Sequence, residues 1–224
     1  MKPIKITNRN IMFTQPVPQW GCDMNLGLIL GAKHNFIIDT GFGSGSVKPI
    51  MEYIDDDKKP IIVINTHSHW DHLWGNWVFE NCPIIAHKLC REILEEHWDA
   101  SVRELSDFID GEVHKCLPNV TFEGNMYFPD DGIELFHSPG HSANSISVYD
   151  AVDKMLYAGD EIGDTDEEII PKINTDMATM QSTIALFKQY DFDICISGHN
   201  KPQKKDVLGR MDAALQEAWE KQSK

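Results

Sequence analysis

Four side chains of types that commonly bind metal ions lie within six consecutive positions of this chain. They are His67, His69, Asp71 and His72, in residues 65–76 (NTHSHWDHLWGN). His67 and His69 are two positions apart and project to the same side of an extended backbone, whereas the adjacent Asp71 and His72 must diverge. So short a segment cannot easily wrap all four around one ion, but two neighbouring ions could share them. Neutral imidazole and carboxylate suit zinc, and also iron, manganese or cobalt.

Three later residues could complete such a site, and they argue against an inert, histidine-rich surface loop. His141 lies in HSPGHS just before a predicted strand, whereas Asp160 and His199 end the predicted strands KMLYAGD and ICISGHN. Each follows a glycine, which lets the backbone bend at a sheet edge and bring the side chain inward. We predict that His141 joins the first two motif histidines around one ion, and that His199 joins the motif aspartate and last histidine around the other. Asp160 has two carboxylate oxygens and could bridge both ions.

The strands that must position these ligands can be predicted from the apolar pattern. Residues 60–64 (PIIVI) read as a buried strand directly before the motif. Two successive groups of strands, each followed by helices, predict two packed sheets with helices outside. The predicted strands are residues 3–7, 11–13, 26–32, 35–40, 60–64, 83–86, 132–136, 145–150, 154–158 and 194–197, and the predicted helices are 47–55, 74–80, 88–97 with a continuation at 100–109, 177–190 and 206–222.

The composition of the 224 residues limits the classes of partner. The formal charge is −15, from 35 acidic and 20 basic residues, which argues against a nucleic-acid backbone or an anionic membrane as the main partner. No run of 18 apolar residues and no signal-peptide pattern occurs, so we expect no membrane span. Five cysteines without CxxC spacing favour a reducing cytoplasm over a disulfide framework. We expect a small-molecule substrate and leave homo-oligomerisation open.

The order of these residues resembles the metallo-β-lactamase superfamily of metallohydrolases. The family hallmark HxHxDH stands here as HSHWDH at residues 67–72. Asp39, at the end of a predicted strand, precedes it, and the three later ligand candidates follow in the family order. The resemblance runs from about Leu26 to Asn200. It implies an α/β fold, an αββα sandwich of two mixed β-sheets flanked by helices, with the metal site at one edge between the sheets. We expect residues 1–224 to form one such domain.

Departures from individual subfamilies narrow the resemblance further. The metal site resembles that of the glyoxalase II and lactonase type, in which a second histidine follows the motif aspartate, as His72 follows Asp71 here. Asp160 stands where zinc β-lactamases with a cysteine ligand have that cysteine, so that group is disfavoured. Residues 161–163 (EIG) lack the tyrosine of quorum-quenching lactonases, and the 25 residues after His199 are fewer than the helical extension of glyoxalase II. Ser68 stands where flavodiiron proteins have an acidic residue, so this redox class is also disfavoured.

The resemblance implies a metallohydrolase with two divalent ions, with zinc favoured over iron or manganese. A hydroxide bridging the ions would attack an ester, thioester, lactone or related bond. Asp71 would be the catalytic residue, because it is both a ligand and the nearest carboxylate to orient the nucleophile and move a proton. Asp39 and Thr66 would orient the metal ligands. The alternatives are a mononuclear non-haem iron enzyme resembling the persulfide dioxygenases, a phosphodiesterase, and a non-catalytic module, although such modules usually lose ligands and none is missing here.

Loops around the metals must supply substrate selectivity, because the ions alone cannot. Residues 14–25 contain two prolines and a glycine and are predicted to form a loop that carries Trp20. Trp20 would either overhang the substrate or fold into the core. The second candidate is residues 111–131, with the aromatic side chains of Phe122, Tyr127 and Phe128.

Overall fold

The computed structural model describes residues 1–222. It consists of two packed β-sheets with helices on both outer faces, which confirms the predicted αββα sandwich. The first half contains β1 (Lys2–Lys5), β2 (Asn10–Val17), β3 (Cys22–Leu30), β4 (Asn35–Ile38), α1 (Ser44–Tyr53), β5 (Ile61–Ile64), β6 (Ile84–His87), α2 (Lys88–Glu104) and β7 (Val120–Phe122). The second half contains β8 (Asn125–Phe128), β9 (Ile133–His137), β10 (Ile146–Asp150), β11 (Met155–Gly159), α3 (Met177–Phe187), β12 (Ile194–Ser197), β13 (Gln203–Lys204) and α4 (Val207–Gln222). Short 3₁₀ turns cover Trp70–His72, Asn76–Phe79 and Ser106–Phe108.

Both sheets are mixed, and their parallel strands matter most for the site. The first sheet runs β1 to β7 in chain order, antiparallel up to β4 and parallel from β4 to β7. The second has the order β13-β12-β11-β10-β9-β8, and only β11 and β12 are parallel. Parallel neighbours end at the same edge of their sheet, so the segments that follow β4 and β5, or β11 and β12, begin side by side.

The pleat of the strands divides the apolar side chains between two cores. In β4, Phe36 and Ile38 pack between the two sheets, whereas Ile37 faces the helix layer. In β5, Ile64 points between the sheets and Val63 points to the helices. Successive side chains on a strand point to opposite faces, and strands covered on both faces become nearly continuous apolar runs. This explains why these strands were recognisable in the sequence.

Helix α2 forms a separate apolar layer beside the motif. Cys90, Leu94 and Trp98 are spaced by one helical turn and are buried against Trp74. Leu89, which the periodicity places on the same face as Leu94, is instead 40% exposed, because the buried stripe begins one residue later. Helices α3 and α4 cover the outer face of the second sheet. Within residues 1–222 no helix has the length and apolarity needed to cross a membrane.

Two local predictions were wrong. Residues 14–25 are not a loop: β2 continues to Val17, β3 begins at Cys22, and only four residues form the turn between them. Strand β1 pairs only with residues 11–14 of β2, so Pro16 lies where β2 has a free edge, at which proline is tolerated. Residues 74–80 are not one helix: Trp74 and Gly75 lie in a turn, and a 3₁₀ turn follows at Asn76–Phe79. Gly75 packs so closely against the segment after β4 that a Cβ there would lie 2.4 Å from the Thr40 carbonyl oxygen.

Candidate metal centre

The structure brings all seven predicted metal ligands together at one edge between the sheets. The 65–72 segment follows β5, whereas Asp160 follows β11 and His199 follows β12, the parallel pair of the second sheet. His141 lies in the connection between β9 and β10. The potential ligand atoms form two groups, and within each group all of them lie within 4.8 Å of one another. The groups are His67, His69, His141 and Asp160, and Asp71, His72 and His199.

One carboxylate oxygen lies between the two groups. Asp160 Oδ2 is 3.5 Å from His67 Nε2 and 3.7 Å from His141 Nε2, which belong to the first group. The same oxygen is 3.2 Å from His72 Nε2 and 3.3 Å from His199 Nε2, which belong to the second. Asp160 is therefore placed where a single carboxylate could contact ions held by both groups.

The outward ring nitrogens of the histidines are held by hydrogen bonds. Metal-binding histidines usually donate their far N–H to a carboxylate, carbonyl or hydroxyl, which fixes the tautomer and the ring orientation. Four of the five histidines make such a contact through Nδ1: His67 with Thr66 Oγ1 at 3.1 Å, His72 with Asp39 Oδ2 at 2.8 Å, His141 with the Lys172 carbonyl oxygen at 2.9 Å and His199 with the Asp23 carbonyl oxygen at 2.9 Å. Each bond leaves Nε2 directed at the centre.

The inward atoms of the cluster match a metal site. Among residues 1–222, His67 Nε2, His72 Nε2 and Asp160 Oδ1 are buried without any hydrogen-bond partner. A buried polar atom left unpaired costs about 1–3 kcal/mol, and three beside one another need a shared explanation. His69 Nδ1 also points inward, 3.0 Å from His141 Nε2. Imidazole nitrogens and carboxylate oxygens are the donors that zinc, iron and manganese accept, so the residues present fit divalent ions.

The charge states favour a cation at the centre. Burial lowers the pKa of His67 well below its usual value and that of His69 to about 4, so both rings are neutral, the form that binds metal. Burial would raise the pKa of Asp71 and Asp160, but the adjacent His72 holds both well below the usual range. Burial would lower the pKa of His72 and His199, but the same two carboxylates raise both well above the usual value, so these rings carry protons that a bound cation would replace. Both carboxylates therefore remain ionised.

Asp39 connects the ends of β4 and β5 through three hydrogen bonds. Its Oδ1 accepts from the Thr66 backbone N–H, and its Oδ2 accepts from Thr66 Oγ1 and from His72 Nδ1, all at 2.8 Å. Asp39 has φ of +61°, a left-handed conformation that is uncommon outside glycine. The three bonds hold the residue in this conformation, so the predicted orienting residues Asp39 and Thr66 lie in contact with the ligands.

The two ends of the 65–76 segment are tied together by a pair of amide side chains. Asn65 Nδ2 donates to Asn76 Oδ1 at 3.0 Å, and Asn76 Nδ2 donates to Asn65 Oδ1 at 2.8 Å. Thr40 Oγ1 also donates to Asn76 Oδ1. All three residues are buried. This pair closes the ligand-bearing segment into a fixed loop, and the sequence reasoning did not identify it.

Glu161 is a further residue that the sequence reasoning missed. Its buried carboxylate accepts the His141 backbone N–H at 2.9 and 3.1 Å and therefore holds the loop that presents this ligand. Burial raises the pKa of Glu161 to about 8. A Cβ on the neighbouring Gly140 would lie 2.2 Å from Glu161 Oε2, so the two positions are matched. The only signal in the sequence is adjacency to Asp160.

Trp20 lies at the turn between β2 and β3 and faces the second group of ligands. Its ring centroid is 5.8 Å from that of His199, 5.6 Å from Trp70 and 5.5 Å from Phe108, and the residue is 38% exposed. It is thus at the site edge rather than in the core.

The other predicted pocket region, residues 111–131, does not bring its aromatic residues to the site. Phe122 and Phe128 pack against the core between the sheets, and Tyr127 is 59% exposed. The strand pleat of β7 and β8 directs the two phenylalanines inward between the sheets. Phe108, which precedes this region, lies at the edge of the site beside Trp20 instead.

Comparisons with known proteins agree with this geometry. A family model described as the metallo-beta-lactamase superfamily matches residues 21–199. An acyl-coenzyme A thioesterase of Gallus gallus is 27% identical over 164 residues, which are 62% of this chain and 58% of the relative, so the chain spans little more than half of that protein. A probable metallo-hydrolase of Methanocaldococcus jannaschii is 30% identical over 148 residues, covering 64% of this chain and 69% of the relative.

Solved structures show the same fold. The metallo-β-lactamase from Pontibacter korlensis superposes with a TM-score of 0.77 and 20% identity, covering 96% of this chain and 98% of that one. That from Hirschia baltica has a TM-score of 0.72 and 19% identity, with 96% of each chain covered. The predicted resemblance is confirmed, and the chain belongs to the metallo-β-lactamase superfamily.

Proposed function

We propose that this chain is a metal-dependent hydrolase with a binuclear, zinc-preferring centre that cleaves an ester, thioester or lactone bond of a small molecule. The observation that carries the proposal is the convergence of seven ligand atoms with Asp160 Oδ2 between the two groups. The names of the relatives support it, because they include thioesterases, a metallo-hydrolase and an N-acyl homoserine lactonase of Bacillus cereus, 27% identical over 143 residues.

The two groups would hold one ion each, with Asp160 shared between them. The first ion would be held by the three histidines His67, His69 and His141, and the second by Asp71, His72 and His199. When bound, divalent ions supply an acidified water and polarise the oxygen of the scissile carbonyl. The outward hydrogen bonds from the Nδ1 atoms keep four of the rings in the tautomer that this binding requires.

Asp71 is the chain's best candidate to move a proton. Its Oδ2 is 3.2 Å from His199 Nε2 and 3.4 Å from His72 Nε2. The side chain is ionised, since the adjacent His72 overcomes the effect of burial and keeps the pKa of Asp71 low. Asp71 can accept the proton of the attacking water and pass it to the leaving group. Trp20, beside His199, can cover the substrate and limit the access of water to the site.

Metal analysis tests the proposal directly. Protein purified without chelator should contain close to two ions per chain, and His72→Ala should lower this to about one. His114→Ala is a matched control, because His114 is an exposed histidine outside the cluster. A wild-type value of one that does not rise on adding zinc or manganese would remove the binuclear proposal, and a single iron would favour the persulfide-dioxygenase alternative.

Hydrolysis tests the reaction class. The zinc-loaded protein should hydrolyse at least one member of a panel of carboxylic esters, thioesters and lactones, and chelation should abolish the activity. Phosphodiesters in the same panel test the alternative reaction. A preference for them would reassign the enzyme as a phosphodiesterase, and no hydrolysis in any class with two ions bound would contradict the hydrolase proposal.

We also propose a single domain for residues 1–224, of which 223 and 224 lie outside the described residues. A cytoplasmic location is supported by the five cysteines, all of which are free thiols.

A further inference from the structure

Two cavities open at opposite ends of the metal-ligand cluster. The ring centroids of His69, His67, His72 and His199 follow one another at 4.4, 4.2 and 5.3 Å, so His69 and His199 stand at the two ends of this row. One cavity is lined by His69 and the other by His199. A substrate whose scissile bond lies over the centre would therefore extend into both.

The first cavity, which we call the α2 groove, is apolar. It measures about 480 Å³ and runs from His69 along α2, where Ile93, Leu94 and Trp98 form one wall and Trp74 another. This volume is in the range of small-molecule sites. No aspartate or glutamate of residues 1–222 lines the groove, and its cationic side chain is Lys172. This lining without carboxylates contrasts with the net charge of −15 of the whole chain.

The second cavity, which we call the acidic cavity, has the opposite character. It measures about 490 Å³ and is lined by His199 together with Asp23, Asp164 and Glu167. None of these three carboxylates forms an ion pair within residues 1–222. Asp166 also lines this cavity, but Lys201 and Arg210 neutralise it. The acidic cavity therefore retains uncompensated negative charge beside the centre.

We propose that the α2 groove binds the apolar acyl group of the substrate and that the acidic cavity receives an uncharged or cationic leaving group. The proposal rests on the hydrolase function proposed above and names its substrate class: esters or thioesters of a medium-length aliphatic acid. Water adds to the carbonyl carbon, the bond from that carbon to sulfur or oxygen breaks, and the leaving group takes a proton and departs as a thiol or an alcohol.

The orientation follows from desolvation and charge. An aliphatic chain gains free energy when it is buried against Ile93, Leu94 and Trp98. The same chain in the acidic cavity would remove water from Asp164 and Glu167 without replacing the lost hydrogen bonds. A polyanionic leaving group would face like charges in that cavity, which disfavours its binding. The enzyme should therefore disfavour coenzyme A thioesters, in contrast to what the name of its Gallus gallus relative says of that protein.

Matched thioesters test the leaving-group half of the proposal. Hexanoyl-N-acetylcysteamine carries a neutral leaving group and hexanoyl-coenzyme A a polyanionic one, with the same acyl chain. The zinc-loaded protein should show a kcat/KM at least about 10-fold higher for the neutral thioester at low salt, and the ratio should shrink as salt is added. Equal values, or a preference for the coenzyme A thioester, would overturn this half.

A charge-removing variant locates the effect. Asp164→Asn/Glu167→Gln should raise kcat/KM for hexanoyl-coenzyme A relative to the neutral thioester at least about 10-fold. The control Asp55→Asn/Asp56→Asn removes the same net charge from exposed residues just before β5, at the sheet end opposite the metal ligands. If both double variants change the ratio equally, the acidic cavity is not the cause.

A block in the α2 groove tests the acyl half. Ile93→Trp fills the groove from a half-buried position, and Asp99→Trp adds the same side chain to an exposed position of α2 that does not line it. Ile93→Trp should lower kcat/KM for the hexanoyl relative to the acetyl thioester at least about 10-fold, and Asp99→Trp should not. If Ile93→Trp does not fold, Ile93→Asp introduces a charge into the groove and should have the same effect. An unchanged acyl preference in the folded variant would overturn the assignment.

A binding measurement separates this proposal from the hydrolase function. Calorimetry on the zinc-loaded protein should show hexanoate binding at least about 10-fold more tightly than acetate, with the difference lost in Ile93→Trp. Absence of hydrolysis with this binding difference present would reject the hydrolase function while keeping the groove as an acyl-binding site. Hydrolysis without any such difference would reject the groove and keep the hydrolase.

Discussion

Replacing Asp39 by asparagine should weaken metal binding without removing any ligand. Asparagine tolerates the left-handed conformation at this position, and its Oδ1 can still accept from the Thr66 backbone N–H as Asp39 Oδ1 does. The atom that replaces Oδ2 is an amide nitrogen, which cannot accept from His72 Nδ1. His72 must then either leave its N–H unpaired or move the proton to Nε2, the atom that should bind the ion.

The magnitude follows from what such outer hydrogen bonds contribute. Loss of an outer partner of a metal ligand typically lowers metal affinity about 10- to 100-fold, which corresponds to about 1.4–2.7 kcal/mol. His72 is fully buried, so no water can replace the lost acceptor. We therefore expect the weaker of the two zinc dissociation constants to rise by this factor. The measurement is a zinc titration of chelator-stripped protein against a competing chromophoric chelator.

A double-mutant cycle checks that Asp39 acts through His72. If it does, adding Asp39→Asn to His72→Ala should lower the affinity for the remaining ion only slightly. This loss should be much smaller than the loss of affinity for the second ion that Asp39→Asn causes in the otherwise unchanged protein. Any residual effect should pass through Thr66, whose Oγ1 contacts both Asp39 and His67, and Thr66→Val should reproduce it. Wild-type affinity for both ions in Asp39→Asn, or full additivity in the cycle, would refute this reasoning.

Three further substitutions test individual residues. Asp71→Ala should lower turnover at least about 100-fold with the fold retained, and near-normal turnover would remove its assigned role. Trp20→Ala should raise KM for an apolar substrate about 10-fold, near 1.4 kcal/mol, with little change in Tm because the residue is 38% exposed. A large fall in Tm with unchanged KM would assign it to the core. Gly198→Ala would place a Cβ 2.2 Å from Asp160 Oδ1 and 2.7 Å from His72 Cε1, so metal content should fall, and two tightly bound ions in this variant would contradict the observed packing.

The sandwich was predictable because its central strands are buried on both faces. Residues 61–64 are apolar throughout for that reason, and no local signal opposes the strand assignment. The hairpin end at residues 14–25 was not predictable in the same way. Pro16 and Pro18 signal a loop locally, whereas the strand exists because β3 pairs with β2 as far as Val17. Long-range pairing decides such cases, and a local pattern does not contain it.

The convergence of the candidate ligands was predictable because their chemistry lies in their residue types, but only Asp39 and Thr66 of the residues that support them were predicted. His141 and His199 are held by the backbone carbonyl oxygens of Lys172 and Asp23. Every residue has such a carbonyl, so no residue type marks these two positions. The α2 groove was hidden for a related reason: Ile93 and Leu94 read as the buried face of an amphipathic helix, and only the structure shows that this face also borders a cavity.

The left-handed backbone conformation of Asp39 is stabilised by the hydrogen bonds that orient the candidate ligands. A left-handed backbone conformation costs a non-glycine residue roughly 1–2 kcal/mol, whereas hydrogen bonds to a charged carboxylate contribute about 1.5–3 kcal/mol each. Asp39 accepts three of them, two from Thr66 and one from His72. The bonds therefore exceed the strain, and they join the end of β4 to the segment after β5 through protein atoms alone. Because His72 makes one of these contacts, Asp39 orients the imidazole of a proposed ligand through the same junction that joins the two strand ends.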